Sequence, residues 1–319
     1  MITILFASYN GARTLPEMLE ALRRLESPGE RWDIIAVDNG STDNTRSILE
    51  HYAGILPIKV LSAPERGKNR ALNTAIPLLD GDLVILTDDD VIPRTDWLSQ
   101  FRKISDELRD YDIFGGQIDL RWPSAPPDYI LNEVDLGPAF ASTDQVNEGA
   151  CLPEKVYGPN MCVRTVLFTH YDFKFNEEVG PSGGNYVMGS ETDFVTRAAR
   201  AGHTCWHSKK PVVEHIVRPE QLDPEWLLHR AYRLGRSQGR KQKIQGGRDR
   251  TPTFWGIPRW CFRWSIEEYT KSIYFHAIGN QQLYFRHKQN FCTGLGIMYE
   301  FSSLPMKRIF EKKPMGRVR

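Results

Sequence analysis

No apolar run in this chain of 319 residues approaches the roughly 18 or more that a membrane span requires, so any meeting with a membrane takes place at its surface. Cysteine is sparse: Cys151, Cys162, Cys205, Cys261 and Cys292 are odd in number, widely spaced and include no C-x-x-C pair. That pattern argues against a disulfide framework and a zinc site, and fits a reducing cytoplasm. The start, Met1-Ile2-Thr3-Ile4-Leu5-Phe6, has no basic leader and breaks at Asn10-Gly11, so no signal peptide is expected. Repeats and low-complexity tracts are missing. So are the G-x-G-x-x-G fingerprint and the P-loop, which leaves hydride transfer and ordinary nucleoside-triphosphate hydrolysis without a motif.

Net charge is nearly absent too, at +1. The balance conceals an asymmetry: residues 230–319 hold 19 Lys and Arg against 5 Asp and Glu, whereas residues 1–229 hold 22 against 35. The two regions must meet different surroundings. The acidic part suits a metal, and the basic part suits phosphates or anionic lipid head groups.

What is present is a regular alternation of strand and helix. Ile2–Phe6, Asp33–Val37, Ile58–Leu61 and Leu83–Leu86 read as strands. Helices are expected from Thr14, a candidate N-cap, to Leu25, over Asn44–Tyr52, and from Arg66 to before Pro77. Intervals of 20 to 30 residues between strands are those of right-handed βαβ units and a parallel sheet. Three of these strands deliver polar groups to their carboxyl ends, where α/β sheets bind ligands: Ser8, Tyr9 and Asn10; Asp38 to Asp43; Asp88, Asp89 and Asp90. Three adjacent carboxylates repel one another unless a cation or a set of N–H donors sits among them. They read either as a metal and nucleotide site or as a solvated turn capping the helix near Thr95. Asp38 likewise suits a base or ribose, or a helix cap.

The four segments FASYNG (to Gly11), VDNGSTD (37–43), RGKNRALN (66–73) and TDDDVIP (87–93), in this order and spacing, resemble family-2 glycosyltransferases with the GT-A fold. The resemblance implies an α/β, mostly parallel sheet flanked by helices, a nucleotide-diphospho-sugar donor, a Mn²⁺ or Mg²⁺ ion, and inversion at the anomeric carbon. Position by position, it implies that Ser8, Tyr9, Asn10, Asp38, Arg66, Lys68, Asn69, Asp88 and Asp89 line the nucleotide sugar. Asp90 and Asp88 would hold the metal, with His215, at the end of the strand Pro211–His215, as a further ligand or diphosphate contact. Gly158-Pro159-Asn160-Met161 is similar to the segment that lines the donor-sugar and acceptor cleft, which places Asn160 there. The family's acidic pair meets Ser190-Glu191-Thr192-Asp193 in this chain. With Gly189 as register marker, Glu191 takes the place of the general base and Ser190 that of the preceding acid, with Asp193 as the competing base. Gly180, Gly183 and Gly184 would let this segment close over the ligands.

The Q-x-x-R-W signature of processive members does not occur, so one sugar per encounter is expected. The catalytic domain is expected over 1–225, with a nucleotide-binding half 1–112 and an acceptor half 113–225; the Pro-rich stretch 122–127 reads as an extended loop within it. Leu227–Arg240 reads as a helix whose Arg230, Arg233 and Arg236 form a basic stripe, serving as a solvated face or a diphosphate-binding edge. Lys241–Thr253 reads as a linker. The basic, aromatic-rich tail 226–319 gathers Trp255, Trp260 and Trp264 with Arg259 and Arg263, ahead of Ile266, Tyr269, Ile273 and Ala277 at helical spacing. Such a tail fits an anionic membrane surface on the inner face of the plasma membrane, or packing on the catalytic domain or a second copy in a homodimer; it does not fit nucleic acid. The expected partners are thus a nucleotide-sugar donor and a glycan or lipid-linked acceptor. A sugar nucleotidyltransferase and a catalytically silent scaffold share parts of the same pattern.

Overall fold

The computed structural model describes residues 1–183, 186–245 and 252–303; Gly184, residues 246–251 of the expected linker and the tail beyond Ser303 lie outside them. In chain order the elements are β1 (Ile2–Ser8), α1 (Leu15–Arg23), β2 (Trp32–Asp38), α2 (Thr45–Tyr52), β3 (Ile58–Ser62), α3 (Lys68–Ala75), β4 (Leu83–Leu86), β5 (Val91–Pro93), α4 (Trp97–Glu107), β6 (Ile113–Arg121), α5 (Asp128–Glu133) and α6 (Leu136–Phe140). Then follow β7 (Gly149–Ala150), β8 (Met161–Arg164), α7 (Val166–Thr169), α8 (Ser190–Arg200), β9 (Cys205–Ile216), α9 (Pro224–Gln245), β10 (Thr253–Phe254), β11 (Ile257–Pro258), α10 (Arg259–Ala277) and α11 (Gln281–Phe301). Two compact units emerge: Met1–Arg121, Phe140–Gly183 and Ser190–Ile216 form the first, and Trp122–Ala139, Gly184–Gly189 and Val217–Arg319 the second.

The first unit is built on one mixed sheet in the order β3-β2-β1-β4-β8-β6-β9-β5, with β7 against β9. β1, β2, β3 and β4 run parallel; β8 joins β4 antiparallel. The central strands are apolar at nearly every position because both faces are covered. Ile2, Ile4 and Phe6 of β1 pack with Leu15, Met18 and Leu19 of α1 and with Trp97, Leu98 and Phe101 of α4. Leu5, on the opposite face, packs with Ala71, Leu72 and Ala75 of α3 and Phe194, Val195 and Ala198 of α8. Period-two alternation thereby sends α3 and α8 to the same face. Both helices begin at the functional rim.

Several expectations are adjusted. Val91–Pro93, quoted only as the end of the TDDDVIP segment, is a strand paired with Val213–His215 of β9. Thr14 does not cap α1 through its side chain; the preceding amides are taken by the next loop instead, Gly11 N–H donating to Thr45 Oγ1 (2.8 Å) and Ala12 N–H to Asp43 Oδ2 (3.1 Å). α9 runs to Gln245, so the first residues of the expected linker are helical.

In the second unit α9 and α11 approach closely. A Cβ at Gly235 would fall on the Thr293 carbonyl, and one at Gly296 on that of Tyr232. The inward residues of α10 are small or polar, Cys261, Ser265, Glu268 and Ser272, with Glu268 accepting from His287 Nδ1 (2.9 Å) and Asn290 Nδ2 (2.8 Å) of α11. Its outward residues Ile266, Tyr269, Ile273 and Tyr274 are large and exposed. The helix is amphipathic in the inverted sense.

His207 on β9 is fully buried, and neither ring nitrogen has a hydrogen-bond partner among the described residues. Burial, with Lys209 adding to it, holds its pKa down to about 4. The folded state therefore resists a proton that the unfolded state takes near 6.5, so stability is full above that value and is lost as pH falls toward 4. His207→Phe should flatten the urea-determined stability curve across this window, by up to about 3 kcal/mol at its acid end. Parallel curves for variant and parent would place the acid sensitivity elsewhere.

Candidate active site

β1 pairs with β2 on one side and β4 on the other, which makes the ends of these strands the topological switch point where such sheets bind ligands. Ser8, the last residue of β1, is 1 % exposed and its hydroxyl donates to Asp89 Oδ2. Asn10 turns the chain in the left-handed region at φ 52°, a conformation Asn tolerates better than most residues; its N–H donates to Ser41 Oγ (3.1 Å) and its Oδ1 accepts from Thr42 N–H (2.8 Å). Asp38 ends β2, is buried and accepts from Ser41 N–H at 3.0 Å. Tyr9 and Arg66 are exposed and stack, the guanidinium carbon 4.7 Å from the ring centroid.

The charged centre lies where α3 and α8 begin. Lys68 Nζ donates to Asp88 Oδ1 (2.5 Å) and to Glu191 Oε1 (2.7 Å), and the three side chains are only 17 %, 26 % and 18 % exposed. Burial alone would lower the pKa of the ammonium; Asp88 and Glu191 outweigh it and hold the pKa above its ordinary value. Burial raises the pKa of Asp88, against the pull of Lys68 and with the repulsion of Glu191 and Asp90. The helix starts are tied directly: the Ser190 hydroxyl donates to Asn69 Oδ1, and Asn69 Nδ2 donates to the carbonyls of Asn176 (2.7 Å) and Val179 (3.0 Å). Gly158 lies against the Glu191 carboxylate, where a Cβ would collide with it.

Asp90 and His215 form a second pair, buried and 3.3 Å apart. His215 Nδ1 lies 2.7 Å from the Phe140 carbonyl, so Nδ1–H donates there and Nε2 faces Asp90. Burial lowers the imidazole pKa, and Asp90 more than compensates, leaving it raised. Among the described residues no group of three or more His, Cys, Asp and Glu is arranged around one point. The carboxylates of Asp90 and Asp88 are the donor type that suits Mn²⁺ or Mg²⁺, and His215 beside Asp90 is oriented by a backbone carbonyl.

Of the remaining residues singled out in the sequence, Asp193 faces away from this centre and accepts from Arg197 Nε at 2.8 Å. Asn160 is fully buried, and its amide is used internally: Nδ2 donates to the carbonyls of Gln117 (2.8 Å) and Pro211 (2.9 Å), and Oδ1 accepts from Trp97 Nε1 (2.8 Å). It fastens the strands behind the site. Two contributors stood in quoted motifs without a role of their own. Asn39 gathers the β3–α3 loop, donating to the carbonyls of Ala63 (2.9 Å) and Glu65 (2.8 Å) and accepting from Gly67 N–H (2.9 Å); Asx turn chemistry after β2 was its only signal. Gly158 stood only within the quoted 158–161 segment, because its own need appears when Glu191 arrives from 33 positions downstream.

A mixed sheet with acids at the parallel strand ends is the architecture of a GT-A fold. Residues 3–123 match the model of glycosyl transferase family 2, and this stretch of the chain is similar to the glycosyltransferases of that family. It is 24 % identical over 240 residues to glycosyltransferase AglE of Haloferax volcanii, spanning 74 % of this chain and 72 % of that one. It is also 24 % identical over 231 residues to the succinoglycan biosynthesis protein ExoM of Rhizobium meliloti, spanning 70 % and 71 %. In structure it is similar to the mannosyltransferase PcManGT of Pyrobaculum calidifontis in complex with GDP-Man and Mn²⁺, with a TM-score of 0.57, 20 % identity, and 97 % and 78 % of the chains covered. TarS residues 1–349 of S. aureus in complex with UDP-GlcNAc gives a TM-score of 0.53, 16 % identity and 92 % of each chain.

Lys68→Met leaves Asp88 and Glu191 facing each other without their cation. Because the group retains some solvent contact, the loss of stability should be about 2–4 kcal/mol, below that of a fully buried pair. Adding Glu191→Gln should restore part of it. Strictly additive losses in urea melts of the single and double variants would show that the two side chains do not interact.

Proposed function

We propose that this enzyme moves one sugar from a nucleotide-diphospho-sugar to a hydroxyl of a glycan or lipid-linked saccharide, with inversion. The observation that carries the reading is the Glu191 carboxylate, held over Gly158 beside Lys68 and Asp88 at the switch point of the sheet. The acceptor hydroxyl loses its proton to Glu191 as its oxygen bonds to the anomeric carbon. The bond from that carbon to the diphosphate breaks with its electron pair leaving on oxygen, and the configuration inverts because entry and departure are on opposite faces. Lys68 holds Glu191 in place until an acceptor hydroxyl displaces it. The Tyr9–Arg66 stack offers a flat platform to the base, and Ser8, Asn10 and Asp38 lie along the same rim. Asp90, Asp88 and His215 are the residues that would hold a Mn²⁺ or Mg²⁺ ion, which would supply positive charge to the departing diphosphate.

Relatives named for succinoglycan biosynthesis and for dolichyl-phosphate glucosylation support an acceptor that is a polysaccharide or a lipid-linked sugar. Neighbours bound to UDP-GlcNAc and GDP-Man leave two nucleotide bases to be compared. Glu191→Gln should lower turnover by at least about a hundredfold while preserving thermal stabilisation by UDP- or GDP-sugar with Mn²⁺. Asp193→Asn should have the smaller effect, since its partner is Arg197. The reverse ranking would make Asp193 the base; no stabilisation of the parent by any nucleotide sugar would remove the transferase reading of this site.

The enzyme also works at an anionic membrane surface in this reading. Of the sixteen large hydrophobic side chains exposed among the described residues, nine lie between Ile244 and Ile278. They include the outward Ile266, Tyr269 and Ile273 of α10, with Arg259 and Lys271 on the same helix. Polar and small residues between helices with apolar residues outside are the arrangement a lipid environment favours. No helix among the described residues is long and apolar enough to cross a membrane, so the contact is lateral. The protein should sediment with phosphatidylglycerol vesicles at low salt, and Ile266→Glu with Ile273→Glu should weaken this at least about tenfold. A parent that stays in the supernatant would end the proposal.

A further inference from the structure

Trp260, Arg263, Trp264 and Glu267 recur at i, i+3, i+4 and i+7 and therefore share one flank of α10. It is a different flank from that of Ile266, Tyr269 and Ile273. With Gln238 and Gln242, one turn apart on α9, and Ile297 of α11 they line an open cavity of about 530 Å³, inside the ~300–1,000 Å³ range of small-molecule sites. Every lining residue belongs to the second unit. None takes part in the transfer step described above.

The chemistry of the lining selects its ligand. Ile297 is buried and forms the floor. The two indoles present apolar faces, and Gln238 and Gln242 together with the indole N–H groups have no hydrogen-bond partner among the described residues. One Arg and one Glu, the latter paired with Lys271 at 2.6 Å, leave no strong field of either sign. An acyl chain would leave the amides without partners, and a phosphate would meet a carboxylate and a single guanidinium. A ligand with alternating C–H faces and hydroxyl edges satisfies both halves of the lining. Aromatic rings stack on the C–H face, while amides exchange hydrogen bonds with the hydroxyls.

We propose that this cavity is a saccharide-binding site that holds a neutral stretch of the glycan the enzyme extends. The statement that the bound sugar belongs to the acceptor rests on the transferase reading; the binding itself does not. The two are separated by measuring binding without any nucleotide. Cellotetraose, chitotetraose, mannotetraose and maltotetraose are titrated into the full chain by calorimetry, with the Glu191→Gln variant run in parallel. The expected result is binding of at least one of them, equal in parent and Glu191→Gln. Trp260→Ala should weaken it about fivefold to tenfold through loss of one stacking face, and Gln242→Ala to a smaller extent. Both positions are exposed, and unchanged thermal melts verify that the variants are folded. No heat with any of the four, or equal binding by parent and both cavity variants, overturns the proposal. So does binding of a sugar phosphate with no response to the neutral sugars, which would give the cavity to an anion.

Discussion

The arrangement of this enzyme depends on one cation. Two carboxylates brought into a partly buried rim repel each other and lose hydration, and neither cost is offset by packing. Lys68, lying 2.5 Å from Asp88 and 2.7 Å from Glu191, offsets both. It can do so because it is the first residue of α3, and α3 is fixed by Ala71, Leu72 and Ala75 against the sheet. The ion triad is thus a point at which strand end, helix start and candidate base are made mutually dependent.

The apolar pattern on β1 explains why these parts meet. Its alternate residues recruit α1 and α4 on one face and α3 and α8 on the other, and the second pair brings Lys68, Asn69, Ser190 and Glu191 to the same rim. The Ser190–Asn69 hydrogen bond gives the chain's departure from the family's acidic pair a physical sense. A serine there ties two helix starts together without adding a fourth negative charge to Asp88, Asp90 and Glu191.

Strands β1 to β4, the helices between them and the acid-bearing loops were legible from the sequence because each is a local signal: an apolar run or a turn. The basic, aromatic tail was equally visible as composition. What escaped was made of distant pairings. β5 is a strand only because β9 offers it an edge. Asn160 stands in a turn-like Gly-Pro-Asn sequence, yet its amide is consumed by Gln117, Pro211 and Trp97, partners more than forty positions away. The choice between Glu191 and Asp193 was open in one dimension, whereas in three dimensions one faces Lys68 and the other Arg197. Inverted packing of α10 was hidden for the same reason, since apolar residues at helical spacing read alike whether they face inward or outward.

The Lys68–Glu191 pair joins positions 123 residues apart, and this separation bears on how the protein comes into being. Closing so long a loop carries an entropic cost that local strands and helices do not incur. During synthesis the segment carrying the four N-terminal motifs leaves the ribosome well before Glu191 does. The strand ends that carry Ser8, Asp38 and Asp88 are therefore synthesised ahead of the group proposed to activate the acceptor.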